Sequence, residues 1–518
     1  MQRGPLPWVL CAGLLACLPL GPALGQSDGT GRLSLDECLL TALENNLDLV
    51  AARKDPAIAA QRIDVSQAPF DGALSAGVDF NQADGDETIT NNITATVEPG
   101  NSDSDVLSGD VSFSHRLRYG GSYSVTYTAS DVDAASTTIV ELGVLATTTF
   151  EQATDGLSLT YEMPLLAGFG KEVNTLDILL ARGNLENSRE DLRNQAMLTA
   201  QSVEDAYWNV LAAREALRIS QMALKRAEDL LKLNEKKVEV GTLAPIEITE
   251  AEAGVASQVE SVIVAETTLE DAEDVLLQLM AVPPDSAAWE QRLELTDRPS
   301  FVPVKVDLAD AIATALERRP EMLTARRVLQ DNELSERVAR RRVRHGLDLT
   351  ADLTPYKKQD TNRHFDFPNA PTTDSTTEAD DTDWAVGLRY TYSFRNRGVK
   401  ANYAIAKLNT EKSDVGLRRT ELDIRVDVRR SARNLESGLR RVEAAEKNVE
   451  LQQKKLEAEQ KKFDNGMSTS FEVLTFQNDL ADAELSEIRA RLEYVKSLTA
   501  LERSKGTLLE ARGLTLGE

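Results

Sequence analysis

The chain has 518 residues, a formal net charge of -26, 5% aromatic residues and 17 prolines. Its length allows two to four ordinary domains. Its acidity excludes a general electrostatic grip on nucleic acid, whose phosphates need a basic face. A cation-attracting surface or lumen and plain solubility both account for the charge.

Cys11 and Cys17 fall among the first 25 residues, so Cys38 stands alone in the rest. Neither a disulfide framework nor a cysteine metal cluster is available. His115, His345 and His364 are scattered without ligand spacing. No set of nucleophile, base and orienting group is visible, so neither an enzyme nor a bound cofactor is expected.

Residues 1 to 25 have the form of a secretory signal: Arg3, an apolar run from Trp8 to Leu20, and Ala23-Leu24-Gly25 before Gln26. Leu14-Leu15-Ala16-Cys17 is a rival signal, similar to a bacterial lipobox with lipidation at Cys17. Cleavage after Gly25 is the preferred reading. Beyond the leader no run of about 18 apolar residues exists, so no transmembrane helix is expected. Export of this kind leaves a protein periplasmic, secreted, or held in the outer membrane by strands.

Residues 33 to 67 are expected to be helical, with Leu35, Leu39, Leu40 and Leu43 on one stripe, ended by Pro69 and Gly72. From 73 to 163 alternation replaces helical spacing. Leu74, Ala76, Val78 and Phe80 form one strand face, and Val111, Phe113, His115 and Leu117 another. Arg118 to Ser122 turn the chain into Tyr123, Val125 and Tyr127, a hairpin. Leu157, Leu159, Tyr161 and Met163 form a last strand. The Ser/Thr/Asn/Asp-rich stretches near 81 to 105 and 130 to 155 are expected to be exposed loops. Pro164, Gly168 and Gly170 make a strand-to-helix corner. A phosphate loop is excluded because no serine or threonine follows Lys171.

From Glu172 to Lys237 there is no proline and one glycine, Gly183. Some 65 residues at about 1.5 Å each make a helix on the order of 100 Å long. No compact domain can bury the stripe of such a helix, so it must lie along other long helices. Ala206, Val210, Ala213, Leu217, Leu224 and Leu231 mark that stripe. A turn at Val240-Gly241-Thr242 sends the chain back through a helix over 246 to 280. Residues 281 to 305 carry Pro283, Pro284, Pro299 and Pro303 and link two halves.

The order then repeats. Leu308 to Arg344 is expected to be helical and ends in Arg337, Arg340, Arg341, Arg342 and Arg344, either a solvated face or a contact with lipid phosphates. Strands are expected over 347 to 395, with Trp384, Val386, Leu388, Tyr390, Tyr392 and Phe394 in register and the acidic stretch 357 to 383 as a loop. That last pattern suits a membrane barrel strand, apolar outward and polar inward. Asn396-Arg397-Gly398 forms a second corner, with Gly398 aligned to Gly170. A second helical hairpin spans 399 to 509 and turns at Asn465-Gly466-Met467. Thr41-Ala42-Leu43-Glu44 equals Thr314-Ala315-Leu316-Glu317, and at a constant offset Gly241 falls on Gly466 and Glu247 on Glu472. The units are therefore a first repeat over 26 to 280, a second over 306 to 510, and a tail over 511 to 518.

This duplicated order resembles the TolC family of outer-membrane efflux and secretion ducts. The resemblance rests on the two helix openings, the corner Met163 to Gly170, the two hairpins and their glycine turns. It implies a mainly α fold with duplicated long helical hairpins, forming a trimeric α-barrel tunnel joined to a 12-stranded membrane β-barrel. It implies a homotrimer held in outer-membrane lipid and working with an inner-membrane pump of RND, ABC or MFS type. A periplasmic adaptor would dock at Val240, Gly241 and Thr242 and at Asn465, Gly466 and Met467. A pore constriction would fall at Glu247, Glu472 and Thr475. The family's latch tyrosine and arginine correspond to Phe463 and Ser468, which lack the hydroxyl and the charge the latch uses. Glu247, and less so Glu472, is also explained as an acid favoured by a helix dipole. The family norm is two strands per half, so the hairpin at 111 to 131 is expected to extend above the barrel. A structural stalk built from long helices is the alternative; the glycine turns and the duplication argue against it.

Overall fold

The computed structural model describes residues 32–91, 96–140, 144–297, 302–364 and 373–515. The leader, with Cys17 and the cleavage site after Gly25, lies outside the described residues.

The chain enters through a short strand, β1 (Arg32–Leu33), and three helices, α1 (Leu35–Asn45), α2 (Leu47–Ala52) and α3 (Lys54–Gln67). The single helix expected here is broken because Asn46 caps α2, its side chain accepting from Leu49 N–H at 3.2 Å. Four strands follow: β2 (Ala73–Asn91), β3 (Thr96–Arg116), β4 (Ser122–Val140) and β5 (Val144–Pro164). After the corner come α4 (Lys171–Asn174), α5 (Leu176–Glu239) and α6 (Ile246–Leu279), then the small strand β6 (Glu294–Leu295), parallel to β1. The second half runs α7 (Leu308–Arg318), α8 (Pro320–Arg342), β7 (Gly346–His364), β8 (Thr373–Thr391), α9 (Arg397–Asp464), α10 (Ser470–Lys505) and α11 (Leu508–Ala511). Arg319 is extended (ψ 130), as a residue before proline prefers, and so divides α7 from α8. No described helix is long and apolar enough to cross a membrane.

The long helices pack by a seven-residue seam. On α5 the seam runs Ala206, Ala213, Ser220, Ala227, Asn234, all buried. On α9 Val428, Leu435, Val442, Leu456 and Phe463 keep the same period, and on α10 Val473, Leu480, Tyr494 and Leu501 do. A seven-residue repeat winds helices left-handed around one another, with knobs entering holes. The small residues of α5 let its neighbours approach closely. Leu224 and Leu231 are only half-buried, because the seam passes through Ala223 and Leu230 instead. The largest apolar core gathers where α1, α2, α5, α6 and α11 meet around Leu39, Leu49, Tyr207 and Leu276. Cys38 is buried there, and burial pushes its thiol up to about 12, so it is unreactive near neutral pH.

The sheet departs from the sequence-based expectation in two ways. The stretches 81 to 105, 130 to 155 and 357 to 383 are mostly strand, not loop: each main strand is 19 or 21 residues long. Polar residues fill them, and where their side chains are described none is buried on either face. The hairpin at 111 to 131 lies within the sheet rather than above it, and the order is β2-β3-β4-β5-β7-β8. The C-terminal strand also stops at Thr391, so Tyr392 and Phe394 follow its end.

Candidate functional site: the hairpin tip

The two glycine turns close the two helical hairpins in one way. Gly241 and Gly466 take φ 75 and φ 72, and a Cβ on either would meet nothing within 4 Å. Gly241 N–H donates to Val238 C=O at 2.9 Å and Thr242 N–H to Lys237 C=O at 2.9 Å. In the second turn Gly466 N–H donates to Phe463 C=O at 3.1 Å and Met467 N–H to Lys462 C=O at 2.9 Å. These are paired Schellman closures: the left-handed glycine lets the last helical carbonyls find donors. The glycines are therefore required by backbone conformation and leave the turn surface open. Val240, Ile246, Met467 and Phe471 are exposed at 71%, 60%, 71% and 66%.

The return helices start differently. Thr469 caps α10, its hydroxyl accepting from Glu472 N–H at 3.3 Å. The aligned residue before α6 is Ala244, and α6 has no side-chain cap. The Glu247 carboxylate leaves its own helix and accepts from Ser470 N–H of α10 at 3.0 Å. Asn234 of α5, fully buried, donates to Ser470 Oγ at 2.7 Å and to the Glu247 carbonyl at 3.1 Å. Lys237 lies 3.9 Å from the centre of the Phe463 ring, donates to Phe463 C=O at 3.4 Å and pairs with Asp464 at 3.8 Å. At the tip, Asn234, Lys237 and Glu247 of the first hairpin are thus tied to Phe463, Asp464 and Ser470 of the second.

Phe463 engages a cation through its ring, where the resemblance points to a hydroxyl. Ser468 donates to Glu472 at 2.8 Å. Glu472 and Thr475 are exposed one helical turn apart, while Glu247 is half-buried. The structure therefore separates the three positions expected to form a constriction: Glu247 is engaged between hairpins, and Glu472 and Thr475 are exposed. Asn234 and Ser470 were missed by sequence reasoning. The readable signal was a polar Asn234 at a seam position otherwise filled by alanine and one serine. Close by, Lys462 pairs with Glu459 at 2.8 Å and holds its carboxyl below the usual range.

At the other end of the helices, Gly170 takes φ 115 and its N–H donates to Tyr119 C=O at 3.0 Å. Asn174 Nδ2 donates to the carbonyls of Gly168 and Gly170 at 2.8 and 3.0 Å, and Pro164 closes β5 opposite Asp348. In the second half the left-handed residue is Asn396 (φ 40). Gly398 sits in the first turn of α9, so the expected glycine corner there is an asparagine corner. The basic end of α8 is engaged: Arg341 and Arg337 pair with Glu172 at 3.0 and 3.5 Å, and Arg342 donates to Val173 C=O at 3.4 Å.

A family model described as outer membrane efflux protein matches residues 117–282 and 311–507, covering both halves. The chain belongs to the outer membrane efflux protein family. It is an outer-membrane protein of the TolC type and not an enzyme. The pyoverdine export outer membrane protein OpmQ of Pseudomonas putida is 28% identical over 188 residues, 36% of this chain and 37% of that protein. OpmQ of Pseudomonas aeruginosa is 27% identical over 201 residues, 38% of this chain and 40% of that protein. Thus the chain matches well under half the length of these curated relatives. Among solved structures, the Campylobacter jejuni CmeC outer membrane channel superposes with a TM-score of 0.62 at 16% identity, covering 93% of this chain and 87% of that one. CusC superposes with a TM-score of 0.63 at 14% identity, covering 91% and 92%. These likenesses show the fold.

Proposed function

We propose that this protein is the exit duct of an export machine, a passive channel from a periplasmic tunnel to the cell exterior. Three copies would assemble, with a periplasmic adaptor at the tip and an inner-membrane pump of RND, ABC or MFS type behind it. One observation carries the reading: two helical hairpins, built on unbroken helices of 64 and 68 residues, join a sheet with one exposed apolar face. Helices of that length are about 100 Å long, enough to reach far from the sheet they hang from. The pyoverdine export named for OpmQ makes a siderophore-sized cargo a natural first candidate.

The exposed Val240 and Met467, beside Gly241, Thr242, Asn465 and Gly466, form the adaptor surface in this reading. Glu472 with Thr475 would narrow the pore, while Glu247 holds the two hairpins together. Images of detergent-extracted particles from the outer-membrane fraction test the duct. A three-fold hollow stem on the order of 100 Å is expected from the helix lengths. A solid rod, or a soluble monomer, overturns it.

A further inference from the structure

The sheet carries one apolar belt across all six strands. On β2 the belt is Leu74, Ala76, Val78 and Phe80, and their registered partners on β3 include Phe113, Val111 and Leu107. Val111 and Phe113 face Tyr127 and Val125 of β4, which face Leu157 and Leu159 of β5. Leu159 faces Leu353 of β7, and Leu353 faces Trp384 of β8, with Val386 and Leu388 continuing the row. Beyond this belt, away from the helices, the strands become polar. Along their own strands aromatic residues bound it: Phe80, Tyr127 and Trp384 at the ends away from the helices, Phe113, Tyr123, Tyr161 and Tyr390 at the ends toward them. A lipid-facing surface needs such a band, flanked by aromatic girdles.

The hairpin β3–β4 is therefore part of the belt. Its turn is fixed to the corner through Tyr119 and Gly170, so it lies at the mouth of the helices. The two outer strands, β2 and β8, pair with β3 and β7 on one side, and among the described residues each leaves its other edge unpaired. Within lipid an open edge is not tolerated, because nothing there satisfies its N–H and C=O groups. β2 runs away from the helices and β8 returns to them, so β8 of one copy meets β2 of the next antiparallel.

We propose that three copies close a single 18-stranded barrel, six strands from each, through β8–β2 pairing between copies. This rests on the three-fold duct of the preceding section. With strands about 4.8 Å apart and tilted about 40°, the barrel measures about 36 Å between opposite backbones, against about 24 Å for twelve strands. The face opposite the belt lines the lumen. It carries Asp79, Asp110, Glu162, Asp348, Asp352 and Asp383 against Arg116 and Arg389. The pore is thus wide and cation-preferring, and its constriction lies at the helical tip.

Paired cysteines in the full chain test the closure. Ala76→Cys or Val78→Cys is combined with Val386→Cys or Leu388→Cys. In one chain the two edges are five strand spacings apart, about 24 Å along the sheet. A disulfide spans Cα atoms no more than about 7 Å apart, so a bond can form only between copies. The expected result is covalent dimers and trimers on denaturing gels, and a barrel ring about 36 Å across in images of the unsubstituted protein. Cross-linking of Val125→Cys with the β8 cysteine, or a ring near 24 Å in a three-fold particle, overturns the closure and leaves the duct standing. Particles without three-fold symmetry overturn both.

Discussion

Glu247 is an acid at a helix start whose carboxylate serves another helix. By accepting from Ser470 N–H it supplies to α10 a cap from the opposite repeat. Replacing a capping acceptor with alanine costs about 0.5–2 kcal/mol, so Glu247→Ala is expected to loosen the first turn of α10. The measurement is hydrogen exchange: the Ser470 amide loses protection in Glu247→Ala while amides of α1 keep theirs. Unchanged protection at Ser470 would show that the contact adds nothing. Asp205 is a second informative carboxylate, placed on α5 near the largest apolar core. Burial pushes it up to about 6, only partly offset by Lys496. Its folded value then lies above the ordinary carboxylate value of about 3.9. The neutral form is favoured in the fold, so stability is greatest at low pH and is lost as pH rises from about 4 through about 6. With partial screening, the loss is roughly 2 kcal/mol. Asp205→Asn is expected to recover it at pH 7.5 and to remove that slope from denaturant titrations across this window.

Among the elements, one left-handed closure ends α5, α9 and α10, and also α11 at Gly513 and α6 at Ala281; the glycines of the first three separate two physical costs. Gly241, Gly466 and Gly506 all take φ near 75, and Thr507 N–H donates to Glu502 C=O at 3.0 Å as the tip turns do. A Cβ at the tip glycines meets open space, whereas at Gly506 it comes 3.1 Å from the Arg318 backbone. Alanine at Gly241 or Gly466 is expected to cost about 1–2 kcal/mol, the left-handed penalty alone. Gly506→Ala adds the overpacking cost, about 1–3 kcal/mol, and thermal unfolding of the three variants should rank them so. These turns were legible in the sequence, because a glycine between long helices has one common use. The duplication was legible too, through Thr41 to Glu44 and Thr314 to Glu317. The strand halves beyond Phe80 and Trp384 were not: a strand exposed on both faces shows no apolar alternation, and its Ser, Thr and Asp read as loop. The Glu247 contact was also out of reach, since it joins residues 223 positions apart. The break at Arg319 was readable from Pro320, a residue suited to the first helical position.

For the whole molecule, the alternation of the sheet assigns opposite consequences to adjacent residues. Val386 lies in the middle of the belt, 66% exposed, and pairs with Ala351. Next to that row, on the other face, Asp352 pairs with Ala385. An arginine on the lipid face of a barrel costs about 2–4 kcal/mol near mid-membrane and less at the rims. Val386→Arg is therefore expected to deplete assembled protein from the outer-membrane fraction, scored as oligomer resistant to detergent on unheated gels. Asp352→Asn removes a lumenal charge without touching lipid, so assembly should be unchanged. Its effect belongs to permeation: in planar bilayers with a salt gradient, the reversal potential should shift toward weaker cation preference. If Asp352→Asn depletes the oligomer while Val386→Arg is silent, the two faces are inverted and the apolar belt lines the pore. Direct burial of that belt inside one chain is already excluded by the exposure of Leu74, Val78, Val386 and Leu388 at 74%, 79%, 66% and 68%. Only another copy or lipid remains to cover it, and the hydrogen-bonding edges of β2 and β8 lie at right angles to that face, free to take the other copy while the face takes the lipid.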